Sequence, residues 1–141
     1  MSRAIQLTCV AIGGRAVLID GPSGSGKSSL ALALIDRGAV LVGDDGVMIA
    51  DRGGQLLVSP HPNTMGKLEV RNLGILDFPV SPPVPAALFV RLSDQAPRFV
   101  DQPEWIRIED VRLPLIGLWP DSPVLALRVE LALARYGLPV S

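Results

Sequence analysis

The stretch GPSGSGKSS at residues 21–29 constrains the fold of this chain more than any other feature of its sequence. It matches the pattern G-x-x-x-x-G-K-[ST], with Gly21 and Gly26 at the fixed glycine positions, followed by Lys27 and Ser28. The apolar run AVLI precedes it, and the leucine-rich segment LALALIDRG follows it. This motif between a strand and a helix predicts a phosphate-binding loop, and a glycine-rich linker with a chance match is the alternative.

Phosphate binding requires these residue types in this order. Small residues let successive backbone N–H groups converge on phosphate oxygens, and a helix that begins near Lys27 adds the positive end of its dipole. Lys27 supplies a charge for the β and γ phosphates, and the Ser28 hydroxyl is a ligand for Mg²⁺. The predicted nucleotide-binding residues are Gly21, Pro22, Ser23, Gly24, Ser25, Gly26, Lys27 and Ser28.

Two adjacent aspartates, Asp44 and Asp45, interrupt the apolar segment AVLVGDDGVMIA at residues 39–50. They lie where a strand would end, and open α/β sheets meet their ligands at strand ends. Neighbouring carboxylates in an apolar strand are costly to bury unless a cation or a proton balances them. One could bind Mg²⁺ while the other accepts a proton from a hydroxyl nucleophile. A solvated turn is the alternative, and the nearby phosphate-binding loop favours the site.

Apolar patterning along the rest of the chain predicts an α/β fold. Strands are predicted at 4–12 and 15–20, joined by a glycine pair, and a helix runs from residue 28 to Gly38. A second helix begins with Pro123 in its first turn and ends at Gly137. The prolines of 79–85 exclude regular interior structure there. Further strands are predicted at 39–50, 55–59 and 86–93, and edge strands with a bend at 105–119.

Composition excludes several classes of protein. A length of 141 residues suggests one domain, 1–141. The net charge of −1 argues against a nucleic acid or a membrane surface as a partner. Cys9 is the only cysteine, so no internal disulfide is expected, which fits the cytoplasm, and its apolar strand predicts a small core residue. No apolar stretch approaches the roughly 18 residues of a membrane span, and no signal peptide is expected.

Two segments together resemble the HPr kinase/phosphorylase family. Residues 13–45, GGRAVLIDGPSGSGKSSLALALIDRGAVLVGDD, resemble its catalytic core, in which a P-loop leads through a helix and RG to a strand that ends in paired aspartates. Residues 68–78, LEVRNLGILDF, resemble its second signature. The resemblance covers roughly residues 4–80. It implies a P-loop-containing kinase domain of the α/β class, with a central, mixed β-sheet and flanking helices, in the short bacterial form that lacks an N-terminal domain.

The resemblance also implies a role for each acidic residue. Asp44 and Ser28 fall on Mg²⁺-binding positions, and Glu69 falls on a further metal contact. Asp45 falls on the base that accepts the proton of the acceptor serine in the kinase reaction and on the acid of phosphorolysis. Lys27, Asp44 and Asp45 are therefore the predicted catalytic residues. Without the resemblance, the segment around Glu69 would be interpreted as a half-exposed strand or a bend.

This sequence departs from the family pattern at several positions. The family's catalytic histidine aligns with Gln6, which cannot titrate, and the acidic residue after the loop serine is Ser29. The family's loop arginine before the last helix has no counterpart, since Ser122 and a proline occupy that place. Arg71 and Asn72 begin the segment that the family is thought to use in phosphorolysis. The losses bear on phosphorolysis and leave the nucleotide and metal ligands in place.

The function that the resemblance implies is an ATP- and Mg²⁺-dependent protein-serine kinase. Its acceptor would be HPr or an HPr-like phosphocarrier of the phosphotransferase system, with phosphorolysis of the phosphoserine as a second activity. A homo-oligomer, a hexamer, is implied in the same way. One alternative is a P-loop kinase for another peptide or a small hydroxyl compound, and another is a catalytically decayed nucleotide or phosphate sensor. A GTPase switch is disfavoured because the sequence contains no N-K-x-D motif.

Overall fold

Eleven strands and two helices follow one another in residues 2–139, which are the residues that this computed structural model describes. The strands are β1 (Ser2–Ile5), β2 (Thr8–Ile12), β3 (Arg15–Asp20), β4 (Val40–Gly43), β5 (Val47–Arg52), β6 (Gln55–Pro60), β7 (Lys67–Val70), β8 (Gly74–Asp77), β9 (Val84–Leu92), β10 (Glu104–Ile108) and β11 (Val111–Leu118). The helices are α1 (Lys27–Asp36) and α2 (Leu125–Tyr136). Nine of these strands form one sheet, and β7 and β8 form a separate hairpin.

The direction of the strands places several strand ends at one edge of the sheet. Strand β9 pairs in parallel with β3 and with β11, and its first residues pair antiparallel with β6. Strand β2 is antiparallel to both β3 and β4, so β4 runs in the same direction as β3. The carboxyl ends of β3, β4, β9 and β11 therefore share an edge, which is where ligands bind in sheets of this kind. The predicted central, mixed sheet is confirmed.

Strand β3 is buried on both faces, which explains its continuous apolar sequence. Val17 and Ile19 pack in one core with residues of α1 and α2. Ala16 and Leu18 pack in a second core with residues of β5, β6, β10 and β11. Successive side chains of a strand point to opposite faces, so a strand covered on both faces lacks polar alternation. Both helices lie on the first face, and other strands cover the second.

Cys9 lies in the second core and is fully buried. Burial in apolar surroundings disfavours the thiolate and raises the pKa of the Cys9 thiol far above its usual range. A thiol that stays protonated is a poor nucleophile. The expectation of a small core residue agrees with this position.

The predicted strand at 4–12 was wrong, because this segment forms two strands. Strand β1 pairs with β5, whereas β2 pairs with β3 and β4. Residues 6 and 7 separate them, and the N–H of Leu7 donates to the carbonyl of Ile5 in the turn. The glycine pair at 13–14 does join β2 to β3, as predicted.

The C-terminal elements also differ from their predicted form. Strand β11 lies between β9 and β10 rather than at an edge. Pro114 pairs with Trp105 of β10, and it precedes the pairing of β11 with β9, which begins at Leu115, so on that side it lies at an unpaired edge where proline is tolerated. The last helix begins at Leu125, after a turn in which the Ser122 hydroxyl accepts the N–H of Val124.

No helix in the described part of the chain is long and apolar enough to span a membrane.

Candidate active site

The loop at residues 21–26 joins β3 to α1 at the shared edge of the sheet. Gly24 has a φ of 81° and Gly26, which precedes the first residue of α1, has a φ of 95°. Residues with a Cβ rarely adopt this left-handed conformation, which explains why the loop requires glycine at these positions. The first N–H groups of α1 have no partner within the helix, and they lie at the end of this loop. Backbone of this geometry at the start of a helix is typical of anion-binding sites.

The Lys27 side chain links the two ends of the loop. Its Nζ donates a hydrogen bond to the carbonyl oxygen of Gly21 at 2.7 Å, which ties the start of the loop to the start of α1. The Lys27 side chain is half-buried and lines a cavity of about 430 Å³. We call this cavity the phosphate pocket. Its lining includes three loop residues, the first two residues of α1 and three acidic residues: Ser23, Gly24, Gly26, Lys27, Ser28, Asp44, Asp45 and Glu69.

Asp44 joins four elements of the fold through its carboxylate. Its Oδ1 accepts hydrogen bonds from the Ser28 hydroxyl at 2.7 Å and from the Thr8 hydroxyl at 3.2 Å. Its Oδ2 accepts the main-chain N–H of Glu69 at 3.2 Å. The structure therefore brings the first turn of α1, strand β2 and the β7–β8 hairpin to the end of β4. Ser28 and Asp44, both predicted from the sequence, lie in direct contact.

Thr8 is the site residue that sequence reasoning missed. It is fully buried, and its hydroxyl contacts Asp44 and also lies 3.4 Å from the main-chain N of Asp45, from which it accepts a hydrogen bond. Threonine is a common strand residue because it is β-branched. Nothing in the local sequence distinguishes this threonine from an ordinary strand position.

Asp45 lies at the boundary between two cavities. It has a φ of 60°, a left-handed conformation in which aspartate and asparagine are enriched among residues with a side chain. Asp45 lines the phosphate pocket and also a neighbouring cavity of about 220 Å³, which we call the Asp45 cleft. Gln6 and His61 line this cleft as well. An aspartate in this position can face a group in either cavity.

The turn that carries the two aspartates folds back tightly on β4. A Cβ added at Gly43 would lie 2.2 Å from the carbonyl oxygen of Gly46 and 2.6 Å from Cγ1 of Val47. Gly43→Ala is therefore expected to lower the free energy of unfolding by about 1–3 kcal/mol, because the turn must shift to accept a methyl group. A denaturant titration followed by circular dichroism measures this loss.

Gly46→Ala is the matched control for Gly43→Ala. A Cβ at Gly46 would have Thr64 Oγ1 as its nearest neighbour, at 3.9 Å, which is an ordinary contact. We expect its free energy of unfolding to stay within about 0.5 kcal/mol of the unmodified protein. Equal stability of the two variants would contradict the tight turn.

The β7–β8 hairpin brings Glu69 and Arg71 to the mouth of the phosphate pocket. Leu68 of β7 is fully buried in the core beside α1, which anchors the hairpin there. Glu69 and Arg71 both line the phosphate pocket. Asn72 has a φ of 74° in the hairpin turn and is not among the pocket residues.

The other predicted loop residues are Gly21, Pro22 and Ser25, and they contact one another within the loop. The carbonyl oxygen of Pro22 accepts the N–H of Ser25 at 3.0 Å, which forms the turn of the loop. The Ser25 hydroxyl is buried, and no described residue forms a hydrogen bond with it. It lies against Gly21, where an added Cβ would come within 2.7 Å of it. These three residues do not line the phosphate pocket, so we expect them to shape the loop.

The oxygen donors at the base of the phosphate pocket fit Mg²⁺. The Ser28 hydroxyl and the Asp44 carboxylate are hard oxygen ligands, which Mg²⁺ prefers, and they lie side by side. Within residues 2–139, no three His, Cys, Asp or Glu side chains lie close enough together to hold a metal ion. Mg²⁺ is commonly held by one or two carboxylates together with substrate phosphates. The residues present therefore fit a metal ion that binds together with a nucleotide.

A glycine-rich loop between a buried parallel strand and a helix, facing a serine–carboxylate pair, defines the class of the P-loop phosphate-binding proteins. Comparison with known families gives the particular family. Residues 2–81 match the family model described as HPr Serine kinase C-terminal domain, and the chain belongs to this family.

Known relatives share this part of the chain. The protein named HPr kinase/phosphorylase from Clostridium beijerinckii is 53% identical over 68 residues, which are 48% of this chain and 22% of that protein. The one from Exiguobacterium sp. is 51% identical over 75 residues, which are 52% of this chain and 24% of that protein. The matched segment thus spans about a quarter or less of these relatives.

A solved structure resembles nearly the whole fold. It is titled "Structure of the Hpr(Ser) kinase/phosphatase from Coxiella burnetii" and matches with a TM-score of 0.82 at 27% identity. The match covers 94% of this chain and 94% of that chain. It extends beyond the two signatures to the C-terminal strands and α2. The predicted P-loop kinase fold is confirmed by this match.

Proposed function

We propose that residues 1–141 form a single catalytic domain, an ATP- and Mg²⁺-dependent protein-serine kinase that phosphorylates HPr or an HPr-like phosphocarrier in the cytoplasm. The observation that carries this proposal is the contact of 2.7 Å between the Ser28 hydroxyl and Asp44, in one pocket with Lys27. A phosphate chain, a metal ion and an acidic group are what phosphoryl transfer requires at one place. The family membership of residues 2–81 supports the choice of acceptor.

The loop and Lys27 would bind and orient the triphosphate. Backbone N–H groups around Gly24 and Gly26 and the Lys27 ammonium would stabilise the negative charge that spreads over the transferred phosphoryl group. Because these donors are fixed by the loop, they need little reorganisation during the reaction. Mg²⁺ held by Ser28 and Asp44, with Glu69 nearby, would neutralise charge on the β and γ phosphates.

Asp45 would accept the proton of the acceptor serine. Asp45 lines both the phosphate pocket and the Asp45 cleft, so an acceptor bound in the cleft would lie next to Asp45 and near the γ phosphate. The base in such a reaction needs to reach the attacking hydroxyl within hydrogen-bonding distance. Gln6 lines the same cleft and can hydrogen-bond but cannot carry a proton. The proposal therefore covers the kinase direction, and phosphorolysis would lack a proton carrier at this position.

Association between copies of the chain belongs to the same proposal. The β7–β8 hairpin exposes three apolar side chains, Leu73, Ile75 and Leu76, and the exposed fraction of the Leu73 side chain is 71%. Neighbouring exposed apolar residues often mark an interaction surface. The composition, 48% hydrophobic and 19% charged, supports a homo-oligomer in the same way.

A transfer assay tests the proposed activity. The purified chain is incubated with γ-labelled ATP, Mg²⁺ and HPr, and the products are separated and mapped. Label on a serine of HPr supports the proposal. Label on a different peptide or a small hydroxyl compound would identify a kinase with another acceptor, and nucleotide binding without any transfer would identify a sensor. Either of the last two results would contradict the proposed acceptor or the proposed reaction.

A further inference from the structure

A groove beside the phosphate pocket runs between the start of α1 and the start of α2. It has a volume of about 190 Å³ and we call it the helix groove. Its walls come from the first turns of α1, from the β11–α2 loop and from the first residues of α2, and they are mostly apolar: Leu30, Ala33, Pro120, Pro123, Leu125 and Ala126. Ser29 and Ser122 add two hydroxyl groups to the lining.

The helix groove adjoins the phosphate pocket. Gly26 and Ser29 line both cavities. None of Asp44, Asp45 and Glu69 lines the groove, so it extends away from the side of the pocket where the acceptor hydroxyl would attack. If the γ phosphate of a bound nucleotide faces Asp45, its base must lie beyond the opposite end of the phosphate pocket. Because Gly26 and Ser29 line both cavities, the helix groove is the neighbouring cavity at that end.

We propose that the helix groove binds the purine base of the nucleoside triphosphate. This inference rests on the proposed function, since it requires the triphosphate to lie in the loop. Pockets for whole drug-sized ligands have volumes of about 300–1,000 Å³, so a groove of about 190 Å³ suits one flat ring system. The apolar walls bury the faces of the base, and the two serine hydroxyls can bond its edge nitrogens.

A larger cavity near the ends of β9 and β11 is the competing position for the base. It has a volume of about 520 Å³ and is lined by Arg91 and by Phe99, of which 80% is exposed. An exposed aromatic ring is a good stacking partner for a base. However, this cavity shares no lining residue with the phosphate pocket. The helix groove shares two, and it is therefore the position that one nucleotide can reach.

Filling the helix groove is expected to weaken binding of the base while leaving binding of the phosphates unchanged. Ala33 is exposed at the wall of the groove, so Ala33→Phe can occupy the groove without changing the core. Calorimetry measures the dissociation constants of Mg²⁺–ATP and of Mg²⁺–tripolyphosphate, which has the phosphates but no base. For Ala33→Phe we expect the ATP constant to rise about tenfold, a loss of about 1.4 kcal/mol, while the tripolyphosphate constant stays within about twofold.

Two further variants keep the test independent of folding. Ala126→Leu narrows the groove from the α2 side and should reproduce the selective loss of ATP affinity. Ala134→Phe places the same ring as Ala33→Phe on an exposed alanine of α2 outside the groove, and it should leave both ligands unaffected.

The remaining outcomes overturn the proposal in distinguishable ways. Unchanged ATP affinity in both groove variants would show that the base does not bind in the helix groove. A loss of ATP affinity in Phe99→Ala would show that it binds in the larger cavity. An equal loss of ATP and tripolyphosphate affinity would mean that the groove variants act through the loop. If the unmodified protein binds neither tripolyphosphate nor ATP, the proposed function itself is overturned.

Discussion

Asp45→Asn is expected to lower the rate of phosphoryl transfer by about 10²–10⁴-fold, the usual contribution of a positioned general base. Asparagine has nearly the same shape as aspartate and also tolerates the φ of 60° at this position. The main-chain N–H of residue 45 can still donate to the Thr8 hydroxyl. The substitution therefore removes the proton acceptor and keeps the turn.

The measurement for Asp45→Asn is transfer from γ-labelled ATP under single-turnover conditions, together with the dissociation constant for ATP. We expect the latter to change by less than about threefold, since the loop and Asp44 are untouched. Asp36→Asn is the control because Asp36 is an exposed aspartate at the end of α1, remote from the pocket lining. If Asp45→Asn transfers phosphate at more than about a tenth of the normal rate, Asp45 is not the base.

Lys27→Ala is expected to lower transfer by about 10²–10³-fold, which is typical of losing one preorganised charge or donor at the reacting group. It should also weaken ATP binding, because the ammonium interacts with the phosphates before the reaction as well as during it. Lys27 is half-buried inside the loop, where its Nζ donates a hydrogen bond to the carbonyl oxygen of Gly21. Removing it leaves that oxygen accessible to water, so the fold should be retained.

Lys67→Ala provides a matched control, since Lys67 is the only other lysine of the chain. Its side chain is exposed and forms an ion pair with Asp77 on the β7–β8 hairpin. Exposed pairs of this kind contribute about 0–1 kcal/mol, and transfer should remain within about twofold. Equal losses of transfer in the two lysine variants would show that charge in general, rather than the position of Lys27 in the loop, supports the activity.

The loop and the paired aspartates could be predicted from sequence because their signals are local. Gly24 and Gly26 are required by backbone conformations within the loop itself, and Lys27 follows at a fixed spacing. The strand before the loop was also clear, since a strand buried on both faces needs a continuous apolar run. The contact between Ser28 and Asp44 agrees with the interpretation of both residues as parts of one site.

Other parts of the site depend on contacts between distant segments, and the sequence carries no local signal for them. Thr8 contacts Asp44 only because β2 lies beside β4. The main-chain N–H of Glu69 reaches Asp44 because the neighbouring Leu68 is buried in the core. Strands β1 and β2 are separated by only two residues but have different partners, which explains why they were predicted as one strand. Pairing partners are set by the whole fold rather than by the alternation within one segment.

The account depends most on a triphosphate and Mg²⁺ lying between the loop and Asp44. Calorimetric titration of ATP, with Mg²⁺ or with a chelator, into the unmodified protein and into Asp44→Asn measures this directly. We predict that Mg²⁺ tightens ATP binding at least about tenfold in the unmodified protein and has little effect in Asp44→Asn. Absence of ATP binding, or the same effect of Mg²⁺ in both proteins, would contradict the account.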